Sequence, residues 1–471
     1  MNADLRRGSL LRRRLMAGWL VLSLCVAMFS YGFAASQFKF FPYNLLRDAR
    51  TALSAMVGMQ SAPEVYGLAQ YRTEVQQPTV VKHSDQSPGG WLLMCAGGRA
   101  LTDVHSEGAL AWIMDRSGQI VHVWKNVPGL WDQLEHVTRV PGVSGAISPF
   151  AVQVCANGDL LATFHGFNTF PFAVGIACID RNSQLRWRKE NLAHHSFSID
   201  ENGLIYVPAL EVVDGPVPIG ATYAQIESET GKIYHDLILV LDRDGNELRR
   251  ISLKDALFGS GYHGHLVHSN AKKVLSDDPF HLNDVQVIGR HADLLSGIAS
   301  DALLVSMRNI NTVGILDPNT ERFQWLSSGA TIGQHSPRIL REGIVCLDNL
   351  GGDVQWGGTQ LVRIGFPSGL PQTLFPRAGV EMPDLCRTVN SGHLEIHPNG
   401  QHALLSLTHE GALWEVDLES GRVVWEYIHV QLDERGKPQR TVGSARYIDP
   451  PSFLAAKLSS QPPIETSGMG R

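Results

Sequence analysis

The chain has 471 residues, 44% of them hydrophobic and 18% charged, a balance that excludes disordered, collagen-like and coiled-coil classes. Its 46 glycines and 24 prolines, without long Ala/Glu/Lys/Leu runs, mean frequent turns and argue for an all-β class over a helical bundle. Arg6, Arg7, Arg12, Arg13 and Arg14 face Asp4 alone in the first segment, a net +4. The rest of a chain of net charge −6 therefore carries −10 and offers no footprint for a nucleic-acid backbone.

Residues 1–14 read as a cytoplasmic basic segment. Leu15 to Ala35, LMAGWLVLSLCVAMFSYGFAA, is an uncharged apolar run long enough to cross roughly 30 Å of hydrocarbon as a helix. The basic flank keeps the N-terminus inside, so the expected arrangement is a single pass through the inner membrane with the remainder in the periplasm. Gly32 and Ala34 keep a cleavable signal peptide as the alternative. Residues 36–90 read as a linker, 91–447 as the folded body and 448–471 as a Pro- and Ser-rich tail. Cys25 lies in the apolar run, and Cys95, Cys155, Cys178, Cys346 and Cys386 lack a C-x-x-C pair, which leaves room for one disulfide without naming it.

The body repeats. GALAWIMDRSGQIVHVW, VGIACIDRNSQLRW, DLILVLDRDGNEL, TVGILDPNTERFQW and GALWEVDLESGRVVWEY share an apolar strand ending in Asp, a turn, and a second strand that often carries Trp. TQLVRIGFPSGLPQTLF is a sixth, degenerate copy, so the turn slot holds Asp115, Asp180, Asp242, Asp317, Gly365 and Asp417. Earlier hairpins such as VCANGDLLATFHG, FSIDENGLIYVPAL and RILREGIVCLDN complete four strands per unit. Six such units predict a six-bladed β-propeller; a β-solenoid has shorter repeats. The run GSGYHG, with Gly259, Gly261 and Gly264, formally fits a nucleotide-loop pattern, but neither a strand nor a helix is expected to frame it.

The repeat assigns places to histidines. His195, His281, His335 and His393 each open the first strand of a blade, which is innermost in a propeller, and so should converge at one mouth of the axis. Second strands run back to that mouth, which adds His165, Arg308, Asn309, Asp348, Asn349 and His409 to its rim. Such a cluster could bind a transition metal, hold an oxyanion, or use one neutral imidazole as a nucleophile beside Arg308.

FHLNDVQVI with ALLVSMRNINTVGILD, then GQHSPRIL with GIVCLDN, resemble the bacterial aryl-sulfate sulfotransferases, whose pattern is H-x-N, S-x-R, Q-H and D-N. The resemblance implies transfer of a sulfuryl group from an aryl sulfate donor to a phenolic acceptor, by a ping-pong route through a sulfohistidine, without cofactor or metal. Carried over by motif, His335 is the nucleophile and His281, Arg308 and His195 its catalytic companions, with His194 beside His195. Asn283, Asn309, Asn349 and His393 are expected on the substrate. Ser36 to Gly90 is too short for the N-terminal β-domain of other members, which leaves the oligomeric state open. The competing reading is a membrane-tethered, non-catalytic propeller that binds a ligand or scaffolds an assembly.

Overall fold

The computed structural model describes residues 2–38, 40–43, 74–97, 108–139, 146–219, 225–226, 228, 231–265, 277–341, 343–432, 438–449 and 454. It divides into two units, 1–69 and 70–471. Among its described residues the first has one helix, Asn2–Phe38, whose stretch Arg14–Ala35 has a mean hydropathy of 1.8 and is long and apolar enough to cross a membrane. Side chains from Leu15 to Phe33 are exposed along it.

The second unit is an all-β, six-bladed propeller. Four blades are consecutive antiparallel four-stranded meanders; in the third the middle hairpin, Ile205–Asp214 with Lys232–Leu241, is lengthened to ten residues a side. The ring closes in two ways that the repeat does not announce. The innermost strand of blade 1 is Ala445–Ile448, supplied by the far end of the chain and paired with Trp91–Cys95. Blade 6 gains a fifth, outer strand, Thr79–His83, from the stretch expected as linker. Of the expected tail, only Ile448, Asp449 and Leu454 lie within the described residues.

Blades pack face to face, so their middle strands are buried on both sides. Ala109–Met114, Ala173–Ile179, Gly343–Asp348 and His402–Leu407 are buried along their whole length, which explains continuous apolar runs in place of strict alternation. Separate apolar clusters fill the gaps between neighbouring blades, for example Val207, Leu239 and Leu241 of blade 3 against Ile176 and Cys178 of blade 2. All six cysteines are free, so the possible disulfide is absent.

The two repeat signatures have structural causes. Each slot Asp accepts backbone N–H groups of its own turn, as Asp180 Oδ1 does from Asn182 and Gln184 at 2.8 Å each. The outer-strand tryptophans tie one blade to the next. Trp187 donates to the Arg243 carbonyl at 3.0 Å, Trp325 to that of Pro367 at 3.0 Å, and Trp425 to that of Arg116 at 2.9 Å. The glycine-rich run does have a helix in front of it, Leu253–Gly259, started by Ser252 capping Asp255 N and buried through Leu253, Ala256 and Leu257. A run that follows a helix is the reverse of a phosphate-cradling strand–loop–helix order.

Where blade 6 meets blade 1, Glu415 is fully buried and bound by Arg116, by Tyr447 Oη at 2.6 Å and by Ser87 Oγ at 2.6 Å, while Arg116 lies 4.0 Å over the Trp425 ring. Replacing Glu415 would strand a buried guanidinium. Glu415→Leu should cost about 3–5 kcal/mol in urea unfolding. A loss below about 1 kcal/mol would show that the seam does not depend on this pair.

Candidate active site

His335 is the first residue of the innermost strand of blade 5, His335–Leu340, and is buried. Its Nδ1 lies 2.7 Å from Asn349 Oδ1 and 3.1 Å from the Gly333 carbonyl. Both partners are carbonyl oxygens, so Nδ1 carries the hydrogen and Nε2 the lone pair. Burial, and after it the Arg308 charge, lower its pKa to about 3, so the imidazole is neutral at neutral pH. Asn349 is itself fixed by donating to the carbonyls of Thr388 at 2.5 Å and Ser391 at 2.6 Å. It is bound to protein on both ends of its amide, which makes it the clamp of His335.

His281 precedes the innermost strand of blade 4, Leu282–Val287. Its Nδ1 meets Asp278 Oδ2 at 2.5 Å, and its backbone N–H donates to Asp278 Oδ1 at 3.1 Å. Asp236, from the third strand of blade 3, accepts from Leu282 N at 3.0 Å, and burial followed by the Asp278 charge raises its pKa well above the carboxylate range. Phe172 stacks on the His281 ring at 5.8 Å and touches Tyr234 at 5.6 Å, which in turn reaches Phe170 at 5.9 Å. An aromatic strip thus runs from His281 towards solvent, where Phe170 is 41% exposed.

His195 lies between these histidines and blade 2. Its ring is 4.9 Å from that of His281 and 4.5 Å from that of His165, with Phe150 at 4.6 Å. His194 Nδ1 and His195 Nδ1 are 2.7 Å apart, so they share a hydrogen, and the His195 backbone N–H donates to His165 Nε2 at 3.1 Å. Burial, then neighbouring imidazoles, hold His194 and His195 well below the usual histidine range and His165 at about 3. One potential ligand atom from each of His165, His194 and His195 falls within 4.8 Å of the others, a group that could hold a metal ion. Occupancy would compete with the hydrogen shared by His194 and His195 and with the amide bond to His165.

Three of the blade starts are backbone outliers. His195 has φ of 54°, His281 of 52°, and Ser336, next to His335, of 48°. Left-handed backbone at non-glycine residues costs of order 1 kcal/mol each and persists where the surroundings over-determine it. Here it falls just ahead of the innermost strands of blades 3 and 4, at His195 and His281, and inside that of blade 5, at Ser336.

Arg308 follows the second strand of blade 4, Leu303–Met307, and donates through Nη1 to Asn309 Oδ1 at 3.2 Å. Asn309 Nδ2 donates to the Asp278 carbonyl at 2.7 Å, and the Asn283 amide to that of Gln334 at 2.9 Å. Gln334 in turn bonds Ser306 Oγ and the carbonyls of Met307 and Thr312. The amides expected on substrate are therefore engaged with protein: Asn283 joins blade 4 to blade 5, Asn309 holds the Asp278 backbone within blade 4, and Asn349 holds His335 and the carbonyls of Thr388 and Ser391; of these amides only Asn283 has an oxygen without a partner among the described residues. His393 is also occupied elsewhere. It meets Ser336 Oγ at 3.0 Å, Glu395 at 3.4 Å and Arg338 at 3.4 Å, within an axial ion network that includes Asp284. The His409 side chain lies outside the described residues. Motif reading singled out none of Asp278, Asp236, Phe150, Phe172 and Tyr234; only the position of Asp278 three residues before His281 could have signalled one of them.

Residues 151–357 match the family described as arylsulfotransferase (ASST). This stretch of the propeller, under half of the chain, is similar to an arylsulfotransferase-family domain. The stretch contains every histidine of the mouth cluster together with Asp278, Arg308 and Asn349, and excludes His393. No curated protein matches the chain. Among solved structures it is similar to a streptogramin B lyase at 11% identity, covering 78% of this chain and 97% of that one with a TM-score of 0.37. A virginiamycin B lyase from Staphylococcus aureus gives 9%, 78%, 88% and 0.34, and the Dos1 propeller 13%, 74%, 72% and 0.36.

Removing the clamp should be felt in stability as well as in chemistry. Asn349→Leu removes one of two partners from His335 Nδ1, which keeps the Gly333 carbonyl, and from the carbonyls of Thr388 and Ser391, which keep the hydroxyls of Thr359 and Thr388, and should cost about 1–2 kcal/mol in urea unfolding. An unchanged midpoint would mean that these groups find water instead.

Proposed function

We propose that this chain moves a sulfuryl group from an aryl sulfate to a phenolic acceptor by a ping-pong route, with His335 as the nucleophile. The observation that carries the reading is the state of His335. It is neutral, with Nδ1 spent on two carbonyl oxygens and the Nε2 lone pair left for attack, although a guanidinium stands close enough to lower its pKa. An imidazole serving only as a cation for anion binding would gain nothing from being held at about 3.

In the donor half-reaction Nε2 of His335 forms a bond to sulfur as the bond from sulfur to the aryl oxygen breaks. In the acceptor half-reaction a phenolic oxygen takes the sulfuryl group and His335 is returned. As in phosphoryl transfer, the protein mainly places the groups in line and meets charge on the equatorial oxygens. Arg308 supplies fixed positive charge there, and His195, with His281 when its Nε2 holds a proton, supplies hydrogen bonds. Phe172 and Phe150 offer ring faces beside the histidines for an aryl group. The N-terminal helix supports a membrane-tethered placement, which we take to be the inner membrane with the propeller in the periplasm.

Mixing with 4-nitrophenyl sulfate should release a burst of 4-nitrophenol stoichiometric with protein before slower turnover with added phenol. His335→Ala should abolish burst and turnover together, whereas Arg308→Ala should slow the burst about 10²–10³-fold, as loss of one transition-state donor does. Because His335 titrates near 3, the burst rate should stay level from pH 8 down to pH 5. A tenfold fall per unit below about pH 6.5 would mean an ordinary histidine is attacking. Protein that binds aryl sulfates without any burst would favour the non-catalytic reading.

A further inference from the structure

A phenolic acceptor must lose a proton as its oxygen takes the sulfuryl group, and the mouth contains one imidazole with its own fixed carboxylate. The two oxygens of Asp278 do different work. Oδ1 accepts the backbone N–H of His281 and so supports its left-handed backbone, while Oδ2 takes the ring Nδ1 at 2.5 Å. A carboxylate only accepts, so the neutral His281 ring carries its hydrogen on Nδ1 and its lone pair on Nε2. A second carboxyl, Asp236, lies nearby, with its pKa raised by burial and then by the Asp278 charge. The Asp278 backbone is pinned by Asn309, next to Arg308. Among the described residues none of the surrounding imidazoles has such a partner: His195 shares its Nδ1 with His194, and the His335 Nδ1 faces amide carbonyls.

We propose that Asp278 is the positioning residue that makes His281 the proton carrier of sulfuryl transfer, an assignment that rests on reading His335 as the nucleophile. In steady turnover the donor half-reaction breaks the S–O bond with its electron pair on the aryl oxygen and forms the S–N bond to His335, and the proton left on His281 Nε2 by the preceding acceptor half-reaction passes to the departing aryl oxygen; in the first turnover, from neutral His281, that oxygen leaves as the phenolate. In the acceptor half-reaction the S–N bond breaks and the new S–O bond forms. The phenolic proton passes to His281 Nε2, and the imidazolium so formed stands against the Asp278 carboxylate. Over one turnover the protein neither gains nor loses a proton. The carboxylate fixes the tautomer and stabilises the cation, the division of labour seen wherever an acid backs a general-base histidine.

Asp278→Asn separates this role from a merely structural one. Asparagine keeps an oxygen for the His281 backbone N–H but presents N–H to Nδ1, which moves the ring hydrogen to Nε2 and leaves it unable to accept a proton. With 4-nitrophenyl sulfate, whose leaving group needs no proton, the burst should stay within about threefold of wild type, while turnover with a weakly acidic phenol should fall about 10²–10⁴-fold. An acceptor phenol acidic enough to be ionised at the assay pH should restore most of that turnover. Equal loss of burst and turnover with every acceptor would overturn the proposal and leave Asp278 as a turn residue. Wild-type protein without a burst would instead overturn the reading of His335. Should the asparagine variant fail to fold, nitrogen-15 spectra of wild-type histidines decide: a neutral His281 protonated at Nδ1 supports the assignment, and one protonated at Nε2 overturns it.

Discussion

Face-to-face packing of six sheets is the constraint from which the rest follows. With both faces of each blade's middle strands buried against neighbours, polar side chains there must find partners within the protein, as Glu415 does in Arg116, and the others gather at the strand ends, on the outer strands and on the axis. The innermost strands of blades 3, 4 and 5 begin at one mouth, and there the chain gathers His195, His281 and His335. The same dryness that packs the blades keeps His195 and His335 neutral, because an imidazolium would have to be charged away from water. Positive charge at the mouth is thereby concentrated on Arg308, while nucleophilic lone pairs survive beside it.

A ring of this kind is only as rigid as its weakest seam, and the closing seam is reinforced most. Glu415, Arg116, Tyr447 and Ser87 form one hydrogen-bonded group between blades 6 and 1, and Trp425 repeats there the indole-to-carbonyl bond made by Trp187 and Trp325. Rigidity matters at the mouth because the residues that must act together come from different blades. Gln334 and Asn283 join blades 4 and 5 directly behind His335, so the distance between His281 and His335 is set by amide bonds as well as by packing. Left-handed backbone at His195, His281 and Ser336 can be borne only in such a frame.

Blade number and the address of the histidines were legible because they rest on local chemistry. An Asp that caps its own turn recurs at five of the six blades, and a Trp on the outer strand at four of them. What escaped was whatever depends on partners remote in the chain. Ala445–Ile448 is four residues long and carries none of the repeat pattern, yet it is the innermost strand of blade 1; Thr79–His83 pairs with blade 6 from what reads as a linker. Amides were the least readable. Asn309 and Asn349 stand at the mouth as the repeat implies, but an asparagine's two ends can hold backbone as well as substrate, and both of these hold backbone or a histidine. His393 opens its blade as expected and is drawn to Arg338 and Glu395, charges whose inward direction no local pattern reveals.

The central claim is that a neutral His335 becomes covalently sulfurylated, and it is tested most directly by mass. Full-length protein mixed briefly with 4-nitrophenyl sulfate in the absence of acceptor, then weighed intact and as peptides, should gain one sulfuryl group per chain, located on His335 and lost when phenol is added. A protein whose mass does not change while nitrophenol is released, or whose sulfuryl group maps to His281 or His195, would contradict the account.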